Sequence, residues 1–146
     1  MNAETLFSLC GNAVLPGWVL LILAPRWKWT TAFIASVLLP GLLGVVYLGL
    51  IVANVSKTEG SFRSLAGVAA LFQNPYLLLA GWVHYLAFDL FVGCWEVRDA
   101  QRTGVRHWFV IPCLVLTFLL GPAGLLAYFL VRAATTHQVL IGADKT

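Results

Sequence analysis

Charge is what this chain has least of. Asp, Glu, Lys and Arg make up 10% of its 146 residues, against about 25% in a soluble domain. The nine cations and six anions form no dense basic face, which excludes a nucleic-acid reader. Cysteine is equally sparse. Cys10, Cys94 and Cys113 are far apart and form no Cys-x-x-Cys, so they read as small core hydrophobes, not a disulfide set. Three scattered histidines without a His-x-x-His-His cluster exclude a His-rich di-iron site, and no metal is expected. Lys28, Lys57 and Lys145 all lie outside the apolar runs, which rules out a retinal Schiff base within a span. No glycine-rich nucleotide fingerprint follows a strand pattern, and no internal repeat suggests a repeat-built transporter.

What the chain has instead is apolar length. Sixty per cent of the residues are hydrophobic and the mean hydropathy is +0.88. Four runs, at about 5–24, 30–55, 76–97 and 108–133, each approach or exceed the ~20 residues that cross a bilayer. They predict one all-α integral membrane domain over 1–146, a four-helix bundle whose neighbouring spans are antiparallel. Trp27 and Trp29, with Arg26 and Lys28, mark an interface anchor. Between spans two and three, Leu65, Val68, Ala69 and Phe72 recur at helical spacing. They predict a short interfacial helix over 61–72 with Ser61 as its N-cap. Gly41, Gly44 and Gly49 offer span two a close-approach face, or reflect the ordinary glycine content of membrane helices. The first run lacks a basic n-region and a small-residue cleavage site, so it reads as a retained helix. No transit peptide precedes it, which favours a bacterial inner-membrane protein or a chain already trimmed. Basic residues favour loops one and three (Arg26, Lys28, Arg98, Arg102, Arg106) as cytoplasmic, with both termini outside. The tail from Thr135 is expected to fray.

Polar groups inside the third run are the functional signal. An ionisable side chain at the bilayer centre costs at least ~2.5 kcal/mol and usually faces protein or a water-filled cavity. At 100° per residue, Trp82, Tyr85, Asp89 and Glu96 share one stripe. His84 lies about 140° from Asp89, with Phe88, Phe91 and Trp95 on its own stripe. The readings that stay open are a buried hydrogen-bond network between helices, or a proton donor and acceptor pair or ligand anchor formed by His84 and Asp89. Asn12, Tyr47, Tyr128 and Arg132 are the available partners from elsewhere in the chain. Trp82, Tyr85, Phe88 and Phe91 are the candidate binding surface for a long apolar ligand. Glu96 is expected to pair with Arg98 or Arg102, and His107 to sit at the interface. Pro16-Gly17, Pro40-Gly41 and Gly121-Pro122 predict bends, serving either packing or a cavity at mid-depth.

These residues carry a resemblance. GWVHYLAFDLF at Gly81 to Phe91, then Asp99, Arg106-His107 and Gly121-Pro122-x-Gly124, resemble the abscisic-acid-deficient-4-like family. CGNAVLPGWVLLILAP at Cys10 to Pro25 and SLAGVAALF at Ser64 to Phe72 fit it too. The resemblance implies a role around carotenoids, because plant members are plastid membrane proteins required to make neoxanthin from violaxanthin. That conversion is an isomerisation: an epoxide opens and a nearby proton leaves to form an allene. It would need an acid and a base, here His84 and Asp89, and no redox cofactor. The expectation is therefore a carotenoid- or isoprenoid-modifying, isomerase-like enzyme or an accessory to one. The alternative is a non-catalytic pigment- or lipid-binding assembly subunit. Expected partners are membrane lipid, a carotenoid or other lipid-soluble ligand, and another membrane protein.

Overall fold

The computed structural model describes residues 2–137, whose regular elements are all helices, with no strand among the described residues. Helix α1, Ala3–Leu23, begins where the Asn2 side chain accepts the Thr5 amide at 2.8 Å, the usual capping exchange. Pro16 lies inside it without ending it. A π-helical stretch, Thr30–Leu38, then runs into α2, Leu39–Asn54. Pro40 has no amide hydrogen to return to the preceding turn, and the wider winding directly precedes it, with Leu39 N–H bonded to Ile34 O. Helix α3, Leu65–Phe72, is shorter than the 61–72 expected, because Ser64 is the cap: its hydroxyl accepts the Gly67 amide at 3.0 Å. Ser61 instead donates its own amide to the Gly67 carbonyl. Eight residues span only ~12 Å, so α3 cannot cross. Phe62 and Leu65, 75% and 87% exposed, offer it an apolar edge for the membrane surface.

Helix α4, Pro75–Thr103, is the central element. It packs against α1, the π-helical stretch, α2, α3, α5 and α6. Asn74 caps it and Pro75 starts it, where a missing amide is harmless. It ends at Gly104, whose φ of 84° is left-handed. The residues expected in a loop from Arg98 onward are therefore helical as far as Thr103. Glycine lets α1 lie close to α4: a methyl on Gly93 would sit 2.7 Å from the buried Trp18 ring, and one on Gly17 would sit 3.0 Å from Leu90. The Pro16-Gly17 pair thus serves packing. Gly41, Gly44 and Gly49 have open space around them. The three cysteines are buried and free, as core hydrophobes should be.

Three stretches are long and apolar enough to cross a membrane: Ala3–Leu23, Thr30–Lys57 and Pro75–Thr103. The fourth span expected over 108–133 is divided. Helix α5, His107–Leu120, stops at Gly121, whose φ of 49° and ψ of −100° reverse the chain, and α6, Pro122–Thr136, starts there. Contacts along α4 give the direction of each. On α5, His107 meets Ile22 near the end of α1, Thr117 meets Glu96, and the tip at Gly121 lies against Asp89. On α6, Tyr128 and Arg132 return to Asp99. The pair is thus a hairpin that enters beside the C-terminal half of α4, turns at its central residue and comes back. At 14 and 15 residues, each arm is about 21–23 Å long, short of the ~30 Å hydrocarbon core. The architecture is three helical stretches long and apolar enough to cross, with a hairpin of two shorter arms where a single fourth span was expected. Arg132 then lies at the same end as Arg102, not with Lys57 and Arg63. The tail beyond residue 137, including Lys145, is outside the described residues.

Candidate functional site

The stripes of α4 face different neighbours. Because the hairpin stops at Asp89, it covers only the C-terminal half of the helix, which carries most of the buried polar groups. Asp99 is buried, accepts hydrogen bonds from Tyr128 and Arg102, and forms an ion pair with Arg132. Tyr128 Oη is 2.7 Å and Arg132 Nε 2.8 Å from Oδ2, and Arg102 Nη2 is 3.0 Å from Oδ1. Trp95 packs edge-on against Tyr128 and Phe129, with centroids 5.7 and 5.8 Å apart. Glu96, fully buried, accepts the Thr117 hydroxyl at 2.9 Å rather than pairing with Arg98 or Arg102. This ion cluster clamps α6 onto α4, since leaving one member of a buried pair alone costs about 3–5 kcal/mol.

Asp89 sits at the hairpin tip. Its carboxylate oxygens lie 2.9 and 3.1 Å from where a methyl on Gly121 would project. The Tyr85 hydroxyl lies beside it and donates to the Phe118 carbonyl at 3.1 Å. Trp82 stacks on Tyr85 at 5.2 Å and meets Phe7 of α1 at 5.5 Å. It lines a separate cavity of about 350 Å³ with Ala3, Glu4, Phe7 and Leu78.

His84 faces the other way, toward α2. Its ring stacks on Phe88 at 4.5 Å and lies 5.7 Å from Tyr47. Pro40, Gly44, Tyr47, His84, Phe88 and Phe91 line an apolar cavity of about 490 Å³. Tyr47 and His84 also border a second cavity of about 220 Å³, which continues toward Phe62, Leu71 and Phe72 beside α3. The two cavities adjoin in the groove between α2, α3 and α4 and share Tyr47 and the His84 imidazole. No carboxylate lines either part. Phe88 and Phe91 stay 59% and 52% exposed, because the hairpin's two arms lie along other stripes of α4.

The structure thus brings His84, Phe88 and Phe91 together and separates them from Asp89, Trp82 and Tyr85. Of the partners expected from elsewhere, Tyr47 meets His84, Tyr128 and Arg132 go to Asp99, and Asn12 is exposed. Thr117 is the polar residue sequence reasoning missed, and Asp99, named there only with the family motif, was given no partner. The available signal was Arg132, a cation in an apolar run that must find an anion.

Residues 5–128 match the family described as ABA DEFICIENT 4-like. The chain is 25% identical, over 93% of its length, to the protein ABA DEFICIENT 4, chloroplastic, of Arabidopsis thaliana, and it covers 64% of that relative. No solved structure matches. With the family match covering most of the sequence, from the first helix into the returning arm of the hairpin, the chain belongs to the ABA DEFICIENT 4-like family.

Proposed function

We propose that this membrane protein binds a carotenoid-class polyene in the groove between α2, α3 and α4 and acts on it through His84. The observation that carries the reading is the pair of adjoining apolar cavities, about 490 and 220 Å³, that both border Tyr47 and the His84 imidazole. Ligand sites are concave and mostly apolar, with a few placed polar groups. A rigid polyene suits a groove walled by Tyr47, Phe88 and Phe91 and open to the lipid from which such a molecule would enter.

For an epoxide-to-allene isomerisation, one C–O bond and one C–H bond break, and an O–H bond and a further C=C bond form. Nothing is oxidised or reduced overall. An imidazole can take the carbon-bound proton and return it to the oxygen, so one group can serve both halves. Asp89, on the far stripe, is assigned to the hairpin tip and not to this chemistry. A second reading, a subunit that holds pigment without changing it, is favoured by the stacking of His84 on Phe88, a contact that serves binding alone. The matched relative is a chloroplast protein, so the comparison supports a membrane setting of plastid type and not the bacterial inner membrane expected from the sequence.

The test is expression of the full chain in carotenoid-producing hosts with pigment analysis, beside His84→Phe. Phenylalanine keeps the ring contact and removes the proton carrier. Loss of conversion with retained pigment binding supports the catalytic reading. Conversion by His84→Phe at the parental rate sinks it, and bound pigment left unchanged by both proteins selects the holding subunit.

A further inference from the structure

At the basic end of the molecule a cavity of about 420 Å³ opens between the α1–α2 connection and the α4–α5 connection. Its rim carries Arg26, Arg106 and His107, and its floor is apolar, made by Val97, Ala100 and Val105. Its frame is fixed by two long-range bonds. Gln101 Nε2 donates to the Pro25 carbonyl at 2.7 Å, and His107 Nε2 lies 2.9 Å from the Ile22 carbonyl. Since a carbonyl only accepts, that nitrogen of His107 carries the hydrogen.

The charge in this cavity is uncompensated. No Asp or Glu lines it, and neither Arg26 nor Arg106 has an ion-pair partner among the described residues. One turn away the opposite holds, with Asp99 meeting both Arg102 and Arg132. The first turn of α5 also borders the cavity, and its cap residue Arg106 provides no side-chain acceptor for the free amides there. Both guanidinium groups and the helix end therefore call for an anion.

The depth indicates which anion. Trp27 and Trp29 are 50% and 49% exposed immediately after Arg26, Lys28 lies 5.5 Å over the Trp29 ring, and Trp108 is 82% exposed just after His107. Tryptophan beside cations marks the headgroup level of a bilayer. A phosphate there would be attached to two acyl chains, which the exposed apolar faces of α1 and α5 can accompany. We propose that this cavity is a binding site for the phosphate-bearing headgroup of an anionic membrane lipid, independent of the polyene groove.

The experiment uses the full chain in detergent, with lipid retention by native mass spectrometry and thermal shift as readouts. The probes are phosphatidylglycerol, phosphatidylcholine and inorganic phosphate. Phosphatidylglycerol should be retained and raise the melting temperature. Arg26→Gln and Arg106→Gln should each weaken that binding about fivefold, and the double variant roughly 25-fold. Lys57→Gln, at the opposite end, should leave it unchanged. Both arginines are exposed and have no side-chain partner among the described residues, so these variants should fold, and an unchanged melting temperature without lipid verifies it. Equal retention of phosphatidylcholine, or undiminished phosphatidylglycerol binding by the double variant, overturns the proposal. Inorganic phosphate stabilising as strongly as the lipid also overturns it, by making the occupant a free anion.

Discussion

Gly121→Ala is the sharpest test of the hairpin, because two separable costs fall on one methyl group. The backbone at Gly121 has φ 49° and ψ −100°, outside the left-handed well that an L residue can occupy. Holding a side chain there costs about 1–3 kcal/mol. The added carbon would also lie 2.9 Å from Asp89 Oδ1 and 3.1 Å from Oδ2, and forcing apart packed groups costs a further ~1–3 kcal/mol. The expected loss is thus about 2–6 kcal/mol. Gly104→Ala is the control. Its φ of 84° is also left-handed, but nothing lies within 4 Å of the added carbon, so only about 1–2 kcal/mol of backbone strain is expected. Reversible unfolding of the purified protein in mixed detergent micelles, followed by circular dichroism, gives both values. Asp89→Ala in the Gly121→Ala background should recover the contact part and leave the strain, a coupling of about 1–3 kcal/mol in a double-mutant cycle. If Gly121→Ala costs no more than Gly104→Ala, or if the cycle shows no coupling, the tip does not rest on Asp89 and the hairpin geometry is wrong.

Two further outcomes follow from the same architecture. Arg132→Met should destabilise by about 3–5 kcal/mol by leaving Asp99 buried beside Tyr128 with only Arg102 as cation, whereas Arg132→Met with Asp99→Leu should cost less than either single change; unfolding measurements that rank the double variant lowest would refute the clamp. Single cysteines at Gln101 and Ala134, both exposed, should be labelled by an impermeant maleimide from the same side of a sealed vesicle, with a cysteine at Glu59 labelled from the other. The three native cysteines are buried and should give little background. Labelling of position 134 together with 59 would restore a fourth crossing.

The crossing helices were legible because their signals are local. A run of apolar residues, a tryptophan–cation boundary and Asn74-Pro75 each act within a few positions of themselves. The sorting of α4 was legible for the same reason: one helix's rotation decides that Tyr85 goes with Asp89 and Phe88 with His84. The hairpin was not legible from hydropathy. Gly121-Pro122 resembles Pro16-Gly17 and Pro40-Gly41, yet the first reverses the chain and the others continue it. What separates them lies elsewhere in the sequence. Arg132 reaches Asp99 only if α6 returns, and Gly124 must lack a side chain because one would overlap the Thr117 backbone. The loop expected from Arg98 was misjudged for a related reason. Three charged residues in five read as polar connection, but Asp99 is neutralised by one residue from its own helix and one from α6. The site was half legible: the imidazole and its aromatic neighbours lie in one stretch of sequence, whereas the α2 and α3 walls come from well upstream without any pattern that pairs them with α4.

The shortness of the hairpin arms sets the order in which this chain can be built. A 14-residue apolar helix followed by one containing Arg132 gives an insertion machine no second long segment to release into lipid after α4. Neither arm is stable in the bilayer alone. The first exposes its last carbonyls at mid-depth, and the second brings in a guanidinium without its counterion. Both liabilities ease only when α4 is already in place, where Tyr85 donates to the Phe118 carbonyl and Asp99 meets Arg132. The pair must therefore enter late and together, as a wedge closing onto a finished three-helix frame. Synthesis halted after α4 should leave a correctly threaded intermediate whose open seam carries two acids, Glu96 and Asp99, waiting for their partners.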